Sequence, residues 1–216
     1  MTDLTTLVPP AWLTPTAPRV TAVAGHPVEI RADWWRRGIT SRGLPGTPPP
    51  GPSLTRADVW ASTDDVFTLL WRTLAWGSGR YLRQNARRLT GIAADVPRAR
   101  RLLVEAAEAA RHDAAGAYSV LWSDGRGALP GLGPSFLTKF LHFAGGGAPE
   151  HPCLILDRVV AAALRDHCGW TSLHGGGQWP ARTYARYCDL LARWAEDLDR
   201  APDELEHALF TGTGGG

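Results

Sequence analysis

The chain has 216 residues, 44% of them apolar and 20% charged, with a formal net charge of +2. That is enough apolar material for one compact domain, or for two lobes sharing a cleft, and it argues against a disordered tail protein. The cysteines, Cys153, Cys168 and Cys188, are odd in number and lack CxxC spacing, which argues against a disulfide framework, a zinc site or a four-cysteine iron–sulfur cluster.

The first residues, MTDLTTLVPPAWLTP, lack the basic stretch and apolar core of a signal peptide. No apolar run reaches the roughly 18 residues of a membrane span. The expected setting is a reducing cytoplasm, with no membrane partner, no metal and no cofactor. Of the 23 basic residues all but one are arginine; the exception is Lys139. Lysine has what arginine lacks, an amine that can lose its proton and attack carbon. Chance retention is the alternative.

Residues 1–52 are rich in proline and poor in periodicity, and are expected to wrap the main body as an irregular extension. Within them VTAVAGHPVEIRADWW suggests a short strand or two, and GLPGTPPPGP (43–52) is a linker. From residue 53 the pattern is helical. Ser53 or Thr55 is a candidate cap with Asp58 behind it. Asp64–Ala75 reads as a buried helix that Trp76-Gly77-Ser78-Gly79 breaks. Arg80–Leu89 reads as a basic helix. Pro97–Ala110 is amphipathic, and Ala114–Trp122 is a short helix. The hairpin SDGRGALPGLG leads into a helix over Pro134–Phe143, which places a helix–hairpin–helix unit at about residues 114–144. A loop over 145–152 and the apolar run Cys153–Leu156 precede a helix over Arg158–His167. Helices over Pro180–Leu198 and Pro202–Leu209 follow, and the terminal GTGGG is expected to fray. No strand series supports a central sheet, so the fold class is all-α, with a helical domain over 53–216.

LPGLGP (129–134) is the most informative stretch. Gly131 and Gly133 permit positive φ and close backbone approach. Leu132 can tuck between the two helices. The free N–H groups at the start of the next helix favour an anion such as a DNA phosphate, which carries no sequence information. A tight helix–helix turn without a ligand is the alternative. On the helix PSFLTKFLHFA, Phe136, Leu137, Phe140 and Leu141 form an apolar face. Ser135, Thr138, Lys139 and His142 share the opposite one. That face either meets solvent or presents Lys139 to a nucleotide held by the hairpin, with Ser135 and His142 near its phosphates. Asp157, between an apolar run and an apolar helix, reads as an N-cap, and Arg158 beside it is a candidate DNA contact. A cap carboxylate facing a cleft could also stabilise a sugar cation and accept a proton from a lysine.

At these residues the chain resembles the helix-hairpin-helix DNA glycosylases, on LPGLG (129–133), Lys139 and Leu156-Asp157. Within that superfamily it is similar to the bacterial proteins with an 8-oxoguanine DNA glycosylase fold, on GLGPSFLTKFLHFA, LILDRVV, Trp71…Trp76-Gly77 and Trp179…Tyr184…Tyr187. The resemblance implies two helical lobes around a cleft and a monomer acting on a flipped-out DNA nucleotide. It implies catalysis by Lys139 and Asp157, and excision of a modified base, 8-oxoguanine or another, in repair or in defence against modified phage DNA. It also implies strand nicking through a Schiff base. In the familiar 8-oxoguanine enzymes the lysine follows the hairpin's last glycine by two residues. That position here is Ser135, and Lys139 lies one helical turn later on the same face.

Trp71, Trp76, Phe136, Trp179 and Tyr187 are candidates for the base pocket, with core packing as the competing role. The clusters Arg80, Arg83, Arg87, Arg88 and Arg98, Arg100, Arg101 are candidates for gripping DNA, with a solvated face as the alternative. A hairpin module that only binds DNA would leave the Lys139 and Asp157 side chains more than about 10 Å apart, beyond proton exchange.

Overall fold

The computed structural model describes residues 2–212, and Thr213–Gly216 of the terminal GTGGG lie outside the described residues. The chain is all-α. Short 3₁₀ turns at Leu4–Thr6 and Ala11–Leu13 and a π-turn at Val20–Ala24 come first. Strand β1 (Val28–Glu29) and helix α1 (Ala32–Thr40) follow. The WW pair therefore lies on a helix rather than a strand. Its apolar stripe buries Trp35 and Ile39, and that burial outweighs the β preference of the aromatic residues.

Strand β2 (Ser53–Leu54) pairs antiparallel with β1, so hydrogen bonding joins the two sides of residue 52. Helix α2 (Arg56–Trp60) starts from a capping box between Thr55 and Asp58. Helix α3 (Val66–Ser78), capped by Asp65, runs through Trp76-Gly77, where the sequence suggested a break. Helices α4 (Asn85–Ala93), α5 (Val96–Ala109) and α6 (Ala114–Leu121) follow. A two-stranded ribbon, β3 (Trp122–Ser123) and β4 (Arg126–Gly127), extends α6 before the glycine turn. Helices α7 (Pro134–Phe143), α8 (Arg158–His167), α9 (Ala181–Leu198) and α10 (Pro202–Gly212) complete the fold.

One apolar cluster runs through the chain from Leu4 to Leu209, and Trp35, Trp71, Trp170, Trp179 and Trp194 are fully buried in it. The N-terminal segment lies along α9 and α10. Arg193 donates to the Leu4 and Leu7 carbonyls, Trp194 Nε1 to Leu7 O, and Arg19 pairs with Asp203 at 2.6 Å. Among the described residues no helix is long and apolar enough to cross a membrane.

Candidate active site

The turn between β4 and α7 needs one unusual backbone conformation, at Gly131 (φ 75°). Gly133 does not share it. At φ −85° and ψ 172° it is the extended residue that precedes α7, so the expectation of positive φ applies to Gly131 alone. Leu132 is buried between the helices. Pro134 opens α7, and no side chain caps its first turn. Arg88 on α4 braces the hairpin from behind. Its Nε donates to Gly131 O at 2.8 Å and its guanidinium lies over the Phe136 ring at 4.0 Å. Burial pushes the Arg88 pKa down to about 10. It is thus part of the fold rather than of an arginine grip, whereas Arg80, Arg83 and Arg87 are exposed.

Lys139 Nζ meets Asp157 Oδ2 at 2.9 Å, and the two side chains are 9% and 14% exposed. Nζ also reaches back to Ser135 O at 3.4 Å. Helical side chains tilt toward the N-terminus of their helix. The amine of Lys139 therefore comes to rest over the turn of Ser135, one turn back from its own position on the helix. Asp157 divides its carboxylate. Oδ1 caps α8 by accepting from the Val159 and Val160 N–H groups at 3.0 and 3.2 Å, which leaves Oδ2 for the lysine. Burial pushes the Asp157 carboxyl up. The Lys139 charge, its hydrogen bond and the two N–H groups outweigh that and hold it below the usual carboxylate range. Capping and ion pairing are both present in the one residue.

The polar face of α7 is buried, not solvated, because Cys153–Leu156 passes over it. Among the described residues that run has no partner strand, and side chains bond its carbonyls one after another. His142 Nδ1 takes Cys153 O, Tyr184 takes Leu154 O, and Tyr187 takes Ile155 O at 2.7 Å. Thr138 Oγ1 donates to Leu156 O at 3.0 Å and accepts from Leu156 N at 3.2 Å. A buried backbone group without a partner is costly, so this ladder fixes the segment that delivers Asp157.

It also corrects two expectations. His142 is 4% exposed and packs against Trp60 and Phe143, so it does not face a phosphate. Tyr187 is fully buried with its hydroxyl committed, so it offers no stacking surface. Trp71 is core as well, stacked on Phe67 with Nε1 bonded to Pro45 O. Trp179 is buried with Nε1 bonded to His174 O. Ser135 and Phe136 are half-buried and Arg158 is exposed at the start of α8.

Lys139 and Asp157 line a cavity of about 240 Å³, together with His26, Arg56, Trp76 and Glu206 among others. Of the expected pocket aromatics Trp76 lines it and Phe136 adjoins it. Gly77 makes room for Lys139 and Phe136, since a Cβ there would lie 2.9 Å from Lys139 Cδ and from Phe136 Cε1. Trp71, Trp179 and Tyr187 are not among its lining residues. Sequence reasoning missed His26, Arg56 and Glu206, which come from opposite ends of the chain with no motif linking them. Arg56 and Glu206 form a bidentate pair at 2.6 and 3.2 Å, each 1% exposed. Burial raises the Glu206 carboxyl, Arg56 opposes it, and the nearby Asp157 and Asp203 charges add to the rise.

A glycine hairpin that delivers a lysine to a capping aspartate, in an all-α chain, is the architecture of a helix-hairpin-helix glycosylase. The family profile described as "Putative 8-oxoguanine DNA glycosylase OGG-like protein" matches residues 21–210, and the chain belongs to that family. The matched stretch includes the hairpin, Lys139 and Asp157. Comparison with curated proteins and with solved structures found no match.

Proposed function

We propose that this chain is a DNA glycosylase that excises a modified base, 8-oxoguanine foremost, with Lys139 as nucleophile and a following lyase step. The observation that carries the reading is the 2.9 Å contact between Lys139 Nζ and Asp157 Oδ2 in a cavity beside the hairpin. A module that only binds DNA is expected to leave these side chains more than about 10 Å apart.

The target nucleotide is flipped out of the duplex because C1′ is unreachable within it. The uncapped first turn of α7, with Gly131, Gly133 and Ser135, holds a phosphate. Lys139 gives up one proton, and its nitrogen lone pair bonds C1′. The C1′–N bond breaks with its electron pair leaving on the base, which takes up a proton. Loss of a second proton from nitrogen, with protonation of the ring oxygen, opens the sugar to a Schiff base. Removal of a C2′ proton then expels the 3′ phosphate and nicks the strand. Asp157, held ionised, stabilises the positive charge on the sugar and exchanges protons with the amine.

Borohydride reduces the Schiff base to a stable amine. Wild-type protein is expected to be trapped covalently on 8-oxoguanine and abasic-site duplexes, and Lys139→Gln is not. Base release without any trapping by the wild type would show that Asp157 activates water instead and that Lys139 is not the nucleophile.

A further inference from the structure

The cavity holds a second charged pair, which the proposed chemistry does not use. Arg56 comes from α2 and Glu206 from α10, and both line the cavity that contains Lys139 and Asp157. A buried ion pair rarely gains stability over apolar residues of the same volume, so its position invites a functional reading. The bidentate contact uses one N–H from each Arg56 Nη. The buried Arg56 Nε has no acceptor among the described residues. Each Glu206 oxygen, having accepted one bond, keeps a lone pair free. Donor and acceptor therefore stand side by side. The guanidinium lies over the Trp76 ring at 5.2 Å, and Trp76 and His26, which also line the cavity, meet edge to face. The cavity of about 240 Å³ is far above the roughly 10–15 Å³ that holds a single water, which leaves room for one flat ring system.

We infer that Arg56 and Glu206 read the flipped base, and that they select a carbonyl beside an N–H within the six-membered ring, the C6=O/N1–H edge of 8-oxoguanine and hypoxanthine and the C4=O/N3–H edge of uracil. The ring N–H donates to Glu206 and the carbonyl accepts from Arg56. Adenine- and cytosine-type edges put a bare ring nitrogen, an acceptor, where the carboxylate needs a donor. Such a base leaves buried polar groups unpaired, which is the strongest form of rejection a polar site has. The inference rests on the glycosylase reading above and adds the rule by which the base is chosen.

The test compares 8-oxoguanine with 8-oxoadenine at one position of one duplex, since the two share the C8=O/N7–H pair of the five-membered ring and differ in the six-membered-ring edge. Single-turnover excision by the wild type is expected to favour 8-oxoguanine by at least about tenfold, within the range for a paired polar contact. Glu206→Gln offers an amide N–H to the bare ring nitrogen, so the ratio is expected to fall by about tenfold or more. If that variant does not fold, as judged by circular dichroism, the charge-free pair Arg56→Met/Glu206→Leu supplies the same ratio. A wild-type ratio near one or reversed, or a ratio unchanged in a folded variant, overturns the inference. Wild-type protein that is trapped on abasic-site DNA yet excises no cyclic-amide base overturns this inference and leaves the lyase chemistry standing. Protein that neither traps nor excises overturns both.

Discussion

Thr138 gives the sharpest test of how the candidate site is held. Its hydroxyl serves both backbone groups of Leu156, the residue before Asp157, and it is fully buried. Thr138→Val keeps the shape and removes both bonds. Each buried group left unpaired costs about 1–3 kcal/mol, so the loss is about 2–6 kcal/mol. Thr138→Ser keeps the hydroxyl and gives up one methyl, about 0.8 kcal/mol. Urea unfolding with an unchanged slope separates the two. The valine variant should also melt lower by about 2–4 °C for each kcal/mol lost. Borohydride trapping adds a second readout, because the segment released by the valine carries Asp157. Trapping is expected to slow in the valine variant and to persist in the serine one. A valine variant as stable and as readily trapped as the serine one would refute the view that side chains from α7 and α9 hold this segment in place.

Gly77→Ala drives a methyl against Lys139 and the Phe136 ring. Overpacking of this kind costs about 1–3 kcal/mol, and displacement of the amine should slow trapping by about tenfold to a hundredfold. Wild-type trapping kinetics in a stable variant would count against the close approach of α3 and α7. The pH response has a defined sign. The Asp157 carboxyl titrates lower in the folded chain than in the unfolded one. Its stabilisation is therefore present above the unfolded value near 3.8 and lost as pH falls through the folded one. Asp157→Asn should accordingly flatten the loss of stability in acid titrations followed by circular dichroism. Burial, reinforced by Arg56, holds His207 at about 4 against an ordinary 6.5. Its contribution is complete above pH 6.5 and declines toward about pH 4. Replacing His207 with Asn should remove that part of the slope, and an unchanged slope would contradict the assignment.

Local chemistry made much of the chain legible. The spans of α7 and α8 follow from Pro134 after a glycine turn and from Asp157 before an apolar stripe, and both begin and end where the sequence placed them. The uniqueness of Lys139 and the LPGLG turn are visible without coordinates, and they marked the stretch in which the site lies. Where local rules compete, the sequence was a poorer guide. Trp76-Gly77 reads as a break, yet an isolated glycine is tolerated in a helix when a neighbour must come close, as Lys139 and Phe136 do here.

The sequence by itself determined the helical class, because caps, glycine turns and apolar periodicity act over a few neighbouring residues, and it singled out Lys139 and Asp157 through the unique lysine, the cap position and the resemblance; their contact at 2.9 Å is a result of the fold. The tertiary structure alone decided the environment of that pair. Burial of the polar α7 face turned His142 and Tyr187 from expected contacts of the nucleotide into supports for the Asp157 segment. The ion pair between α2 and α10 set Arg56 beside Glu206 at the same cavity. These partners lie far apart along the chain, and no local pattern records which side chain will satisfy a buried carbonyl or a buried charge.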